Sequence, residues 1–164
     1  MAAGRYSGRL RELILKMKRA EQNSVSLAIG QLLWHCRGDA LRELHADLAV
    51  PVPLHWRRRL THGTNSAALV AEVLAGRLKI PLADNVLRRR RHTRPQFSLS
   101  PHQRRENVRG AFEARGGKRL AASHVLLVDD IMTSGATCNE AARMLRKSGA
   151  RRVTVVVAAR TVTT

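Results

Sequence analysis

The sequence predicts an α/β fold with a mainly parallel central sheet flanked by helices, in a single domain over residues 1–164. Three observations point there. Two short all-apolar runs, 125–128 and 153–159, bracket a stretch of helical periodicity, the pattern of a βαβ unit. Aromatic residues make up only 3% of a chain that is 44% hydrophobic, so its core must be layered from alanine, leucine and valine. A length of 164 residues is enough for one core and too short for two domains of ordinary size.

Along the chain, residues 1–36 read as an N-terminal helical region. Leu10, Leu13, Ile14 and Met17 fall at i, i+3, i+4 and i+7 with basic residues between them, which makes a basic amphipathic helix. A second helix is expected over about 24–35, a short third piece over 41–44 beyond Gly38, and extended chain over 46–53, where Pro51 and Pro53 forbid a helix. Residues 65–78 place Ala68, Leu69, Val73 and Leu74 in helical spacing, and Pro81 blocks continuation. Over 88–117 the periodicity dissolves into arginines, serines and prolines, so a mobile basic loop region or a short hairpin is expected. After the strand at 125–128, a helix runs to about Lys147. Thr137-x-x-Glu140 reads as a capping box at its start and Gly149 as a left-handed cap at its end. Cys138, Ala141, Ala142 and Leu145 form one apolar stripe, so Cys138 reads as a core residue, not a nucleophile.

Charge is the strongest compositional signal. Lys and Arg number 30 against 12 Asp and Glu, a formal +18, and 25 of the 30 are arginines, whose planar fork of donors suits phosphate oxygens. Phosphate-bearing partners are therefore expected, although much of any such charge is ordinary solvated surface. Cys36 and Cys138 are the two cysteines, with no C-x-x-C pair, which excludes a disulfide framework or a cysteine-rich zinc site built within this sequence. No apolar run approaches about 18 residues, so no membrane insertion and a cytoplasmic location are expected.

The chemistry concentrates in residues 125–137. Asp129 and Asp130 stand at the carboxyl end of an apolar strand, the edge at which open parallel sheets bind ligands. Thr133, Ser134, Gly135, Ala136 and Thr137 then supply small residues, hydroxyls and successive amides at a helix start, a cradle for a phosphate. Carboxylates just ahead of an anion pocket can accept hydrogen bonds from sugar hydroxyls or hold magnesium. A P-loop is excluded because Gly116-Gly117-Lys118-Arg119 lacks the earlier glycine and the hydroxyl, and a receiver domain because too little chain follows Asp130.

The run Asp129-Asp130-Ile131-Met132-Thr133-Ser134-Gly135-Ala136-Thr137 resembles the phosphoribosyl pyrophosphate motif of type I phosphoribosyltransferases. Val50-Pro51-Val52-Pro53-Leu54, Asn65, Thr93-x-x-Gln96-x-x-Leu99 and Arg105-x-Asn107-x-x-x-Ala111-Phe112 are similar to the ComF/GntX branch, which is associated with competence and DNA uptake. The resemblance implies that Asp129 and Asp130 are the catalytic pair at the ribose hydroxyls and, with magnesium, the metal site. It implies that residues 133–137 hold the 5-phosphate. Arg57, Arg58 and Arg59 would lie near the pyrophosphate, and Gln96, Arg105 and Asn107 would belong to a loop closing over the substrate. Where the family pattern reads Arg-Gly-Phe-Asn-Gln, this sequence has His62-Gly63-Thr64-Asn65-Ser66, and the family's N-terminal zinc ribbon is expected to be missing.

Two functions remain open on these grounds. One is a magnesium-dependent phosphoribosyltransferase that uses phosphoribosyl pyrophosphate and an unnamed acceptor. The other is a non-catalytic ribose-phosphate-binding protein acting in DNA uptake or regulation, alongside competence proteins. In the second, the basic run Arg88 to Arg91 with Arg94 would contact nucleic-acid backbone without sequence preference.

Overall fold

The computed structural model describes residues 1–17, 23–54, 65–91, 93 and 99–161. Its centre is a four-stranded, all-parallel sheet in the order β1-β6-β5-β2, formed by β1 (Ala2–Arg5), β2 (Leu48–Pro51), β5 (His124–Met132) and β6 (Arg152–Arg160). Helices α1 (Gly8–Met17), α2 (Asn23–Arg42) and α3 (Ser66–Leu78) pack on one face. On the other face lie α5 (Ala136–Lys147) and an antiparallel pair, β3 (Leu87–Arg89) with β4 (Phe112–Ala114), whose connection carries α4 (Pro101–Val108). The mainly parallel α/β architecture expected from the sequence is thus present.

Strand periodicity sorts the core. Within the apolar run of β5, Leu126 and Val128 point to the layer holding Ile14, Ile29, Leu33, Val70 and Leu74. Val125 and Leu127 point to the layer holding Leu120, Phe112, Ala141 and Leu145. A central strand covered on both faces needs apolar residues at every position, which is why the sequence shows a run here and no alternation. The same helix-strand-helix layering leaves the carboxyl ends of β2, β5 and β6 along one edge, where loops emerge.

Several expectations required correction. Before the helices of the N-terminal region comes a strand, β1, too short to leave a periodic signal. The break expected near Gly38 is absent, and α2 continues to Arg42. Gly38 sits beneath the Trp34 indole, where a Cβ would meet the ring at 3.3 Å, and Arg42 stacks over that ring at 4.5 Å. Contact with a side chain one turn earlier on the same helix, not a turn of the chain, accounts for this glycine. On α1, Leu13 is exposed, while Ile14 and Met17 are buried and Leu10 packs against the core. The inner face of α3 is Ala67, Val70, Ala71, Leu74 and Ala75, one register step from the expected Ala68, Leu69 and Val73. Val73 faces Gly30 of α2 instead, at a crossing so close that a Cβ on Gly30 would lie 2.8 Å from the valine Cβ.

The 88–117 region is not loop throughout. Its described part contains most of β3, all of α4 and β4, and the start of a single 3-10 turn, Gly117–Arg119. The start of α4 was legible: Ser100 and Gln103 form a reciprocal capping box, with Pro101 in the first turn. The helix has no apolar stripe, so periodicity could not reveal it.

Candidate functional site

β5 runs longer than its apolar run, through Asp129 and Asp130 to Met132, because the pairing with β6 continues to Met132 opposite Arg160. The acidic pair therefore lies inside the last turns of a central strand and is held by the sheet. Asp129 Oδ1 accepts the Asp130 amide at 2.9 Å, and Asp130 Oδ1 accepts the Ile131 amide at 2.6 Å. On the α5 side, the buried Cys138 thiol donates to Asp129 Oδ2 at 3.5 Å.

This placement sets the protonation. Burial, and secondarily the charge of Asp130, push the Asp129 carboxyl up to about 8. Burial also pushes the Cys138 thiol up, reinforced by Asp129, so the sulfur is a protonated donor at neutral pH. The sequence reading of Cys138 as a core residue holds, but it missed that this core residue touches the acidic pair. The spacing of nine residues between them gave no signal without the turn between strand and helix.

That turn begins at Thr133 and ends at Gly135, the N-cap of α5, with φ 73° and ψ 1°. Only glycine adopts this left-handed geometry at no cost. Nothing heavier than ordinary contact surrounds the missing Cβ, the nearest atom being Met132 Sδ at 3.7 Å. The conformation, not lack of room, requires glycine here. Gly135 also accepts the Asn139 amide at 2.8 Å, which closes the first turn of α5. The positive end of the helix and its leading amides thus face the loop of residues 133–137, where Ser134 is exposed.

The expected Thr137/Glu140 capping box does not form. α5 starts at Ala136, so Thr137 is already inside the helix, and the N-cap makes no side-chain bond. Glu140 is turned sideways, accepting the Gly110 amide at 2.8 Å and a two-pronged bond from Arg143 at 2.7 and 2.9 Å. Gly149, at φ 110°, follows the end of α5 as expected.

Of the other expected site residues, Arg57, Arg58, Arg59, Arg94 and Gln96, and also His62 and Thr64, lie outside the described residues. Arg105 and Asn107 are on α4, which packs against α5, with Arg105 exposed and Asn107 half-buried. Asn65 caps α3 by accepting the Ala67 amide at 3.2 Å and donates to the Val52 carbonyl at 3.1 Å, which pins the exit of β2 beside the site edge. The basic run 88–91 is partly engaged within the fold. Arg89 lies 5.4 Å from the Phe112 ring centre and bonds Thr93, Arg90 pairs with Glu113, and Arg91 donates to the carbonyls of Asn107 and Arg109, each at 2.9 Å. Arg88, Arg90 and Arg91 are exposed and Arg89 is half-buried.

Two residues of metal-ligating type, Asp129 and Asp130, are adjacent near the end of β5, and no group of three or more His, Cys, Asp or Glu gathers among the described residues. That set suits magnesium, which is commonly held by one or two carboxylates plus the phosphates of a substrate.

The chain belongs to the phosphoribosyl transferase domain family, whose pattern it matches over residues 64–163, a span that includes the acidic pair and the glycine-capped start of α5. Within that family it is of the ComF type. Competence protein F of Haemophilus influenzae is 35% identical over 156 residues, covering 93% of this chain and 68% of the relative. DNA utilization protein YhgH of Escherichia coli K12 is 30% identical over 165 residues, covering 95% and 69%. Among solved structures, the glutamine phosphoribosylpyrophosphate amidotransferase of B. subtilis, complexed with ADP and GMP, matches with TM-score 0.53 and 26% identity over 81% of this chain, which spans 26% of the amidotransferase chain. A purine phosphoribosyltransferase from Pyrococcus horikoshii shares the fold, with TM-score 0.51, 18% identity, and coverage of 81% of this chain and 83% of that one. Among the described residues, no helix is long and apolar enough to cross a membrane.

Proposed function

We propose that residues 129–137 bind the ribose 5-phosphate part of phosphoribosyl pyrophosphate, and that the chain transfers the phosphoribosyl group to an acceptor with release of pyrophosphate. The observation that carries this reading is the Gly135-capped start of α5 directly after the two strand-held aspartates. The helix end and its amides attract the 5-phosphate, and the hydroxyls of Thr133, Ser134 and Thr137 supply further donors. Asp129 and Asp130 accept the ribose hydroxyls, which orients the sugar with its C1 away from the helix.

Near neutral pH a carboxyl titrating at about 8 holds a proton on Asp129, so binding of hydroxyl donors or a cation favours its release. Asp129 and Asp130 would also hold magnesium together with the ligand's own phosphates, and that ion would offset the charge developing on departing pyrophosphate. The chain then contributes orientation, anion binding and exclusion of water, and needs no covalent nucleophile.

A second reading, a non-catalytic ribose-phosphate-binding protein in DNA uptake or regulation with basic-surface contact to nucleic acid, is favoured by the names of the relatives and by the +18 charge. Phosphorus NMR of phosphoribosyl pyrophosphate with magnesium and a panel of bases and amines separates the two. Pyrophosphate formation dependent on an acceptor supports transfer, binding without turnover supports the second reading, and no interaction overturns both.

A further inference from the structure

The antiparallel unit and α5 are separate pieces of chain joined by polar contacts, Gly110 to Glu140 near the start of the helix and Ser148 Oγ to the Ala114 carbonyl at 3.3 Å at its end. Glu140 lies on α5 four residues beyond Ala136, about 6 Å along the helix axis from its anion-facing end. It is only 9% exposed. Its Oε1 accepts the amide of Gly110, the residue at φ 66° that turns the chain from α4 into β4. Arg143 donates to both carboxylate oxygens and, as the first cause, holds Glu140 below the usual carboxylate range. Burial opposes this, and the Gly110 bond and the charge of Arg109 assist. The carboxylate is therefore charged, oriented, and aimed at a backbone donor of the other unit.

On the far side of that turn, Arg91 donates to the carbonyls of Asn107 and Arg109, which ties the end of α4 to the end of β3. Any shift of Gly110 is thus passed to α4 as a body. α4 brings Arg104 and Arg105, with Arg109 at its C-cap, to the flank of the helix that caps the proposed phosphate site, while the loop itself is held by the sheet.

We propose that Glu140 is a positioning residue: it fixes the arginine-bearing α4 against α5, so that the pyrophosphate end of the ligand is bound only when this strut is intact. This rests on the function proposed above. Because the 5-phosphate and ribose contacts lie within residues 129–137, the strut controls affinity for phosphoribosyl pyrophosphate and not for ribose 5-phosphate.

The test is calorimetric titration of both ligands, with magnesium, into wild type, Glu140→Ala and Glu140→Gln. The alanine variant is expected to bind phosphoribosyl pyrophosphate about tenfold more weakly and ribose 5-phosphate within about twofold of wild type. The glutamine variant keeps an oxygen for the Gly110 amide and should recover most of the loss. An equal loss for both ligands, or no loss for either, would overturn the proposal, because the strut would then serve general stability or nothing. Failure of wild type to bind either ligand would instead remove the function on which it rests. Should the alanine variant not fold, hydrogen exchange on wild type decides. Phosphoribosyl pyrophosphate, and not ribose 5-phosphate, must slow the amides of residues 102–110, and equal protection by the two ligands would contradict the strut.

Discussion

Replacing Asp129 with asparagine keeps the shape and the Oδ1 acceptor for the Asp130 amide but removes the ionisable group. In the folded chain, burial and the Asp130 charge raise this carboxyl from 3.8 to about 8. The unfolded chain loses that proton near 3.8, so between the two values only the folded state binds it, and stability falls as pH rises. The penalty is absent below about pH 4 and complete above about pH 8. The full displacement sets a ceiling of about 6 kcal/mol, and water at the edge of a part-buried side chain reduces the expected figure to about 2 kcal/mol. For a chain of this length, 1 kcal/mol corresponds to about 2–4 °C in Tm. Asp129→Asn should therefore gain about 4–8 °C on wild type between pH 4.5 and 8.5, measured as the difference between the two melting curves at each pH. Taking the difference cancels the histidines, which titrate in both proteins. A difference independent of pH, or one that shrinks as pH rises, would mean that Asp129 is ionised in the free fold and would refute the burial argument.

Other consequences follow from the same geometry. If ligand hydroxyls or magnesium select the ionised form of Asp129, affinity for phosphoribosyl pyrophosphate should rise up to about tenfold per pH unit below 8 and level off above it, with a flat profile in Asp129→Asn. Gly135→Ala should cost about 1 kcal/mol in urea unfolding through backbone strain alone, and Gly135→Asn less, because asparagine tolerates the left-handed region. Gly30→Ala places a Cβ 2.8 Å from that of Val73, so a loss of about 1–3 kcal/mol is expected, largely recovered by adding Val73→Ala in a double-mutant cycle. Asn65→Ala should cost about 1–2 kcal/mol, and Asn65→Ser roughly half of that, since serine restores the α3 cap but not the bond to Val52.

The sequence disclosed the parts of the fold whose signals are local. The β5 run, the α5 stripe, the Gly149 stop and the Asn65 start can each be read from a few neighbouring residues, and so can the order of carboxylates and small residues in the loop. What stayed hidden depends on distant chain. Glu140 reads as a cap until Gly110, thirty residues earlier in the sequence, arrives beside it. Likewise the arginines at 89–91 read as free surface charge, yet their partners Phe112, Glu113 and the Asn107 and Arg109 carbonyls are supplied by the return of the chain through α4 and β4. Asp129 carries both lessons: its identity and place were legible, but its raised titration comes from burial in the folded sheet and then the charge of Asp130, against the opposing bond from the Cys138 thiol.

The central claim is that the acidic pair and the α5 start form one ribose-phosphate site. Calorimetric titration of ribose 5-phosphate and of phosphoribosyl pyrophosphate with magnesium into wild type and the Asp129→Asn, Asp130→Asn double variant tests it most directly, with melting curves confirming that both proteins are folded. The account expects saturable binding of both ligands to wild type and at least a tenfold loss for each in the variant. Binding of equal strength in the two proteins, or no binding of either ligand to wild type, would contradict it.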